Sequence, residues 1–255
     1  MTNSSCYRAD FSLVYHRGFS YHANSSVLGI LDLLDPVLDR GGLVLELGCG
    51  SGLLTKYLVI GGHRVIATDA SPAMLDLARD YVQGEVDIRR LTLPADSLPD
   101  ADAVVSVGHA ISYLPDEQAA DQALLAIARA VRPGGLFAID FCDLSYGPER
   151  RSHPDVGMAG DDWAVVMRCS VPAPNRVVRE ITTFVPVGDG TWRRDDECHQ
   201  HLLLDSGKIV ELLTPEGIDV TVAPAFGSET LPAGLRVLIG RRPASAGGSR
   251  APRRG

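Results

Sequence analysis

The sequence predicts an α/β fold: a seven-stranded, mostly parallel sheet with helices on both faces, carrying a three-stranded antiparallel insertion after the fifth strand. Three observations predict it. From residue 41 short β-branched runs alternate with longer stretches at helical spacing, the sequence form of βαβ units. A glycine-rich turn, Gly48-Cys49-Gly50-Ser51-Gly52, follows the first run, where a parallel sheet opens its ligand crevice. After residue 141 the rhythm breaks into three runs of period two before the α/β pattern returns.

Taken in order, residues 24–39 place apolar side chains at helical spacing. Ahead of them Tyr7, Phe11, Tyr15, Phe19 and Tyr21 fall at spacings of four, four, four and two. This N-terminal segment, residues 1–40, is either a helix covering the core with one aromatic face or a lid closing over a ligand, with Tyr15 turned inward and Tyr21 toward a substrate. Strands are expected at 43–48, 64–69, 86–91, 102–107 and 135–141, with helices at about 51–60, 72–83 and 116–131. Ser71 is an N-cap candidate with Pro72 in the first turn, where a missing N–H costs nothing. Arg132-Pro133-Gly134-Gly135 stops the third of these helices. Residues 142–160 read as a crossing loop. Runs at 163–171, 176–187 and 191–203 form the inserted sheet, the last two joined by Gly188-Asp189-Gly190. A helix at 206–217 and strands at 218–225 and 234–240 complete the first sheet. The expected organisation is therefore a main domain over 41–142 and 204–242, an inserted substrate sheet over 143–203, and a tail over 243–255 too poor in apolar residues to fold.

Composition bounds the function. A chain of 255 residues, 45% hydrophobic, suits one large globular domain or one domain carrying an insertion. No stretch approaches a membrane span and the N-terminus is too polar for a secretory leader, so a cytoplasmic location without membrane partners is expected. With 24 Lys+Arg against 32 Asp+Glu the formal net charge is −8, which argues against a nucleic-acid partner. The basic residues cluster only at the end, at Arg241, Arg242, Arg250, Arg253 and Arg254. Five scattered cysteines without a CxxC pair indicate neither a disulfide framework nor a zinc ribbon.

The chemistry is carried by Glu46-Leu47-Gly48-Cys49-Gly50-Ser51-Gly52. Alternate glycines let the backbone approach a ligand and adopt positive φ. A dinucleotide loop needs GxGxxG, and Leu53 stands where its third glycine would be. The pattern ExGxGxG instead resembles the first motif of class I S-adenosylmethionine-dependent methyltransferases, which have a Rossmann-like fold. Asp69 at the end of the second strand, Ser97 to Val105 on the approach to the fourth, Val131-Arg132-Pro133-Gly134-Gly135-Leu136 at the turn into the fifth, and the antiparallel insertion all agree with it in order. The resemblance covers about residues 24–241 and is nearest to the small-molecule deoxyaminosugar and glycine N-methyltransferases.

What the resemblance implies can be set against each residue. S-adenosyl-L-methionine is the expected cofactor, with the amides of Gly48, Cys49, Gly50 and Gly52 facing its methionyl carboxylate and ribose. Glu46 would order the loop or receive the ammonium, or simply gain from the helix dipole. Asp69 would accept the ribose hydroxyls, its alternative being a plain N-cap. Ala70 and Met74 would line the adenine, or belong to the core; Val107 and Tyr15 complete the cofactor set. An acid commonly follows the third strand in this family, but Pro94 stands there, leaving Asp96 or the backbone of Leu93 to read the adenine amino group.

The acceptor side is read from the turn after the fourth strand and from the inserted sheet. His109 is the first candidate to orient or deprotonate the acceptor, against a role in capping a turn or packing under the cofactor; Tyr113 is second. Glu197, His199 and His201 alternate along one strand and so share a face. Three readings stand for them: acceptor-pocket groups with His199 catalytic and Glu197 and His201 substrate-binding, a metal site, or a solvated face. Same-face neighbours lie almost 7 Å apart, too wide to ligate one ion unaided, so no metal is expected. Trp163 is a further substrate-pocket candidate. The expected function is methyl transfer to an oxygen or nitrogen of a small molecule, with the arginine-rich, GC-rich composition pointing to secondary metabolism. A macromolecule methyltransferase and a non-catalytic cofactor-binding protein are the alternatives, and a monomer or homodimer is expected.

Overall fold

A computed structural model describes residues 6–152 and 155–244. The main sheet has seven strands: β1 (Leu43–Leu47), β2 (Arg64–Asp69), β3 (Asp87–Arg90), β4 (Ala101–Ser106), β5 (Val131–Cys142), β10 (Asp219–Ala223) and β11 (Leu235–Arg241). Their order is β10-β11-β5-β4-β1-β2-β3. β11 runs antiparallel to both of its neighbours and every other pairing in this sheet is parallel. Helices α2 (Ser20–Leu38) and α3 (Leu53–Ile60) pack on one face, α5 (Glu117–Ala130) and α7 (Ser206–Leu213) on the other. This explains why the central strands read as unbroken apolar runs. Val44, Ala103 and Val105 enter one core while Leu45, Leu47 and Val104 enter the other, so both faces of these strands are mainly apolar, with Glu46 and Asp140 as buried exceptions.

β1 lies between β2 and β4, and the chain leaves it in opposite directions to reach them. A crevice opens at such a switch point, outside the carboxyl ends of the strands. Helix α4 (Pro72–Tyr81) borders it, with Ser71 Oγ accepting from Met74 N at 3.2 Å, the cap its sequence predicts.

The inserted sheet differs from expectation in one strand. It has four, in the order β6-β7-β8-β9: β6 (Asp155–Gly160), β7 (Trp163–Ala173), β8 (Arg176–Gly188) and β9 (Thr191–Leu202). β6, preceded by the short helix α6 (Tyr146–Ser152), occupies part of the stretch expected to be a loop. Its sequence, DVGMAG, has no alternation to reveal it. It is an exposed edge strand held by backbone pairing with β7. At the C-terminal side, Pro215 ends α7 early and the last residues of the expected 206–217 helix form a 3₁₀ turn. The tail expected to be unfolded lies, from residue 245, outside the described residues, as do Arg250, Arg253 and Arg254. No described helix is long and apolar enough to cross a membrane.

Helix α1 (Ala9–Gly18) joins the two sheets. Phe11 and Val14 are fully buried against Trp163, Val165, Met167, Ile181 and Val185 of the insertion. Arg8 pairs with Asp195, Arg193 with Asp10 and Arg17 with Asp162. On its other side, His16 Nδ1 bonds Ser51 Oγ at 2.8 Å and Ser71 Oγ donates to the Tyr7 carbonyl at 2.7 Å. The N-terminal segment is thus strapped across the crevice.

Candidate active site

The turn after β1 has the backbone its glycines permit. Gly48, Gly50 and Gly52 have φ of 67°, 55° and 81°. A Cβ on Gly48 would stand 2.8 Å from that of Ala110, and one on Gly52 would stand 2.6 Å from Val82. At Gly50 the nearest atom is Met74 Sδ at 3.9 Å, so that face is open to the cavity. Cys49 N donates to the Thr68 carbonyl at 2.8 Å and ties the turn to β2.

Asp69 ends β2 at the cavity wall. Its carboxylate accepts from Gly50 N at 2.9 Å on one oxygen and from Ser71 N at 2.8 Å on the other. Each oxygen keeps a lone pair for a ligand donor. Burial raises its pKa above the ordinary carboxylate value, opposed by those backbone bonds. Gly48, Gly50, Asp69, Ala70, Met74, Leu93 and Val107 all line one cavity, together with Leu47, Thr68, Ser71, Leu91 and Thr92. Tyr7, Tyr15, Tyr113 and Leu114 line it from the side of the N-terminal segment and the turn after β4.

Other sequence candidates lie outside that lining. Glu46 is buried beneath the turn and accepts from Thr55 Oγ1 at 2.6 Å; burial raises its pKa to about 7. Its contact orders the loop from below. Cys49 is buried, and Gly52 is the left-handed N-cap of α3. Asp96 turns back to accept from Thr92 N at 2.7 Å, a local turn contact rather than a ligand position. Tyr21 is 60% exposed on α2, away from the cavity, because the chain turns between α1 and α2 and breaks the aromatic spacing there. Trp163 packs into the core under α1, over Gly18 and Gly160, and does not face the cavity.

Beneath the N-terminal segment lies a connected polar cluster. Glu197, His199 and His201 are all buried on the inner face of β9, which removes the solvated-face reading. Glu197 accepts from Tyr7 N at 2.7 Å and Arg8 N at 2.8 Å, holding the start of α1, and bonds His199 Nε2 at 2.8 Å. His199 Nδ1 meets Tyr113 Oη at 3.3 Å, and Tyr113 Oη meets Tyr7 Oη at 2.8 Å. Burial raises both phenols above their ordinary pKa, so they remain protonated donors.

His109 sits at φ 51°, a left-handed position that a residue with a Cβ adopts only when held there. Asp140, buried at the end region of β5, holds it, accepting from His109 N at 2.7 Å and Gly108 N at 3.1 Å. The same carboxylate bonds His22 Nε2 at 2.9 Å. Burial lowers the His22 pKa, but the hydrogen bond and charge of Asp140 outweigh it and leave it raised. Burial lowers His109 to about 3, so its imidazole is neutral. The ring does not line the cavity; its chain neighbours Gly108 and Ala110 do, and it stacks on Tyr113. Asp140, His22 and Tyr7 were missed by sequence reasoning. The signal for Asp140 was present: a single charge within the apolar run LFAIDFC, near the carboxyl end of a central strand.

Residues 44–135 match the family model described as a methyltransferase domain. The chain is 41% identical over 110 residues to a cypemycin N-terminal methyltransferase of a Streptomyces species, covering 40% of this chain and 43% of that protein. It is 33% identical over 121 residues to glycine N-methyltransferase of Rattus norvegicus, covering 40% and 41%. The match thus spans less than half of either relative. Among solved structures, the sugar N-methyltransferase KedS8 from a Streptoalloteichus species superposes with a TM-score of 0.73 at 19% identity, over 95% of this chain and 97% of the other. The amino pentose methyltransferase CalS10 from Micromonospora echinaspora gives 0.69 at 19%, over 92% and 98%. At these identities the likeness is one of fold.

Proposed function

We infer that this chain, whose residues 44–135 are a methyltransferase domain on the class I S-adenosylmethionine-dependent fold, transfers a methyl group from S-adenosyl-L-methionine to a nitrogen or oxygen of a small molecule in secondary metabolism. The observation that carries the reading is the Asp69 carboxylate, oriented by two backbone amides beside an open Gly50 face. Two oxygens with a free lone pair each suit a vicinal ribose diol. Met74, Leu91 and Leu93 offer apolar walls for the adenine, and the Gly48 to Gly50 backbone can approach the methionyl end. Tyr15 would close over the cofactor.

The bound cofactor supplies an electrophilic methyl group on a sulfonium. The protein's part is to align the acceptor in line with it, exclude water under the lid, and receive a proton when the acceptor carries one. His109, Tyr113 and His199 take these parts. An imidazole with a pKa of about 3 is too weak a base to hold a proton near neutral pH, so the part of His109 is to position Tyr113, on which its ring stacks. His199, backed by Glu197 and reaching Tyr113 Oη, is the better-placed base. Glu197 and His201 shape the acceptor side. Nitrogen is favoured over oxygen because cypemycin N-terminal, sugar N- and glycine N-methyltransferases stand among the similar proteins.

The test is incubation with methyl-labelled cofactor and separate pools of amino sugars, small amines, phenols and RNA. Label in a small-molecule product, lost in His199→Ala, is the expected result. Label in RNA alone would transfer the function to a macromolecule. Tight cofactor uptake with no product in any pool, and no difference between wild type and the variant, would make the chain a non-catalytic binder.

A further inference from the structure

Behind Tyr113, the hydrogen-bond network stops. Both ring nitrogens of His109 and both of His201 are buried without a partner among the described residues, and His201 has no exposed surface at all. Two imidazoles with four unanswered nitrogens are costly to bury. Beside them lies the thiol of Cys142, a free cysteine with no exposed surface.

We propose that His109, Cys142 and His201 bind one borderline-soft divalent cation, with zinc the natural occupant. One ring nitrogen of each histidine and Cys142 Sγ all lie within 4.8 Å of one another. Three atoms so placed share a point within about 2.8 Å of each. Zinc sits about 2.0–2.1 Å from imidazole nitrogen and 2.3 Å from thiolate, so side-chain movements of less than about 1 Å complete the site. The two imidazole rings are neighbours, 5.0 Å apart between centroids at an interplanar angle of 69°. The ligands come from three separately anchored elements: the turn after β4, the end of β5 and β9. The Cys142 backbone is anchored as well, its N–H donating to Ser112 Oγ at 2.9 Å.

The donor set fits zinc rather than magnesium or calcium, which take oxygen ligands. Two nitrogens and one sulfur leave a fourth position for water or another donor. Asp140 Oδ2, 3.9 Å from His109 Nδ1, is placed to orient the ring as an outer carboxylate does in many zinc sites. The charged groups that reach the histidines are Asp140, which favours a cation, and Arg179, Arg150 and the His22 side, which oppose it. The thiolate formed on binding offsets these. A second grouping, His22, His109 and Asp140, lies within the same distance. There, however, His22 and Asp140 already bond each other at 2.9 Å, so their atoms are satisfied without an ion. The metal expected from sequence to be absent is thus placed away from the Glu197 and His199 pair.

The test uses untagged, chelator-stripped full-length protein titrated with cobalt(II) and zinc(II), and needs no methyl-transfer assay. One equivalent of cobalt should give the intense visible bands of tetrahedral coordination and a sulfur-to-metal charge-transfer band. Cys142→Ser should abolish the charge-transfer band, and His201→Gln should weaken zinc affinity about 100-fold. The double substitution of Cys6→Ser with Cys198→Ser should leave both signals intact, which keeps the test decisive if a buried variant fails to fold. Absence of stoichiometric uptake, a charge-transfer band that survives Cys142→Ser or vanishes in the Cys6→Ser, Cys198→Ser double variant, or loss of binding in His22→Gln alone would overturn the proposal.

Discussion

Replacing Asp69 with alanine isolates the contact that distinguishes an adenosyl site from an ordinary capped turn. In the structure both carboxylate oxygens already accept one backbone N–H, from Gly50 and Ser71, and the group retains acceptor capacity at the cavity wall. A ribose diol donating to both would make two charge-assisted hydrogen bonds, each worth about 1.5–3 kcal/mol. Allowing for non-additivity, the loss is about 3 kcal/mol, which corresponds to roughly 150-fold weaker binding. Isothermal titration with S-adenosylhomocysteine reads the affinity directly. A cofactor analogue lacking both ribose hydroxyls supplies the cycle: it should bind the wild type about as weakly as the natural ligand binds Asp69→Ala, and the substitution should cost it little more. A loss of less than threefold with the natural ligand, or an equal further loss with the analogue, would refute the assignment of Asp69 to the ribose.

Three other outcomes follow from named contacts. Gly48→Ala forces a Cβ to 2.8 Å from Ala110 at φ 67°, so cofactor uptake should fall and stability drop by about 1–2 kcal/mol or more in urea denaturation. Asp140→Ala leaves His22 buried without its partner and frees the backbone amides of Gly108 and His109; a loss of about 3–5 kcal/mol is expected by the same assay. The pH dependence has a definite sign. The His109 pKa in the fold is about 3, below its unfolded value, so between those two values the unfolded chain binds more protons and stability rises with pH. Chelator-treated protein should therefore lose about 1.4 kcal/mol per pH unit from His109 alone as pH falls below about 6, and His109→Phe should flatten that slope in a stability–pH series. His22 acts in the opposite sense. Its raised pKa gives stability that is full below the unfolded value and lost as pH rises through the folded one.

The sheet and the cofactor turn were legible in the sequence because they rest on local rules. Continuous apolar strands between amphipathic helices, glycines at alternate positions and an acid at the end of β2 each leave a mark within a few residues. What was not legible depends on partners far along the chain. β6 has little strand propensity and exists because β7 offers it an edge. Tyr21 shares the aromatic spacing of α1, yet a turn before α2 carries it into solvent. Trp163 was placed on the right sheet with its face unknown, and it turns into the core beneath α1 rather than toward the cavity. The alternation of Glu197, His199 and His201 predicted a shared face, but only the fold separates a Glu197–His199 pair from a His201 that meets His109 instead. Asp140 and His22 are 118 residues apart, and no pattern in the sequence joins them.

A structure of the protein with bound S-adenosylhomocysteine addresses the central claim most directly. The account predicts the ribose diol on the Asp69 carboxylate, the adenine against Met74 and Leu93, the methionyl end along the Gly48 to Gly50 backbone, and Tyr15 over the sulfur. Ligand density elsewhere in the molecule, or a cavity that stays empty at saturating ligand with the glycine turn in place, would contradict it.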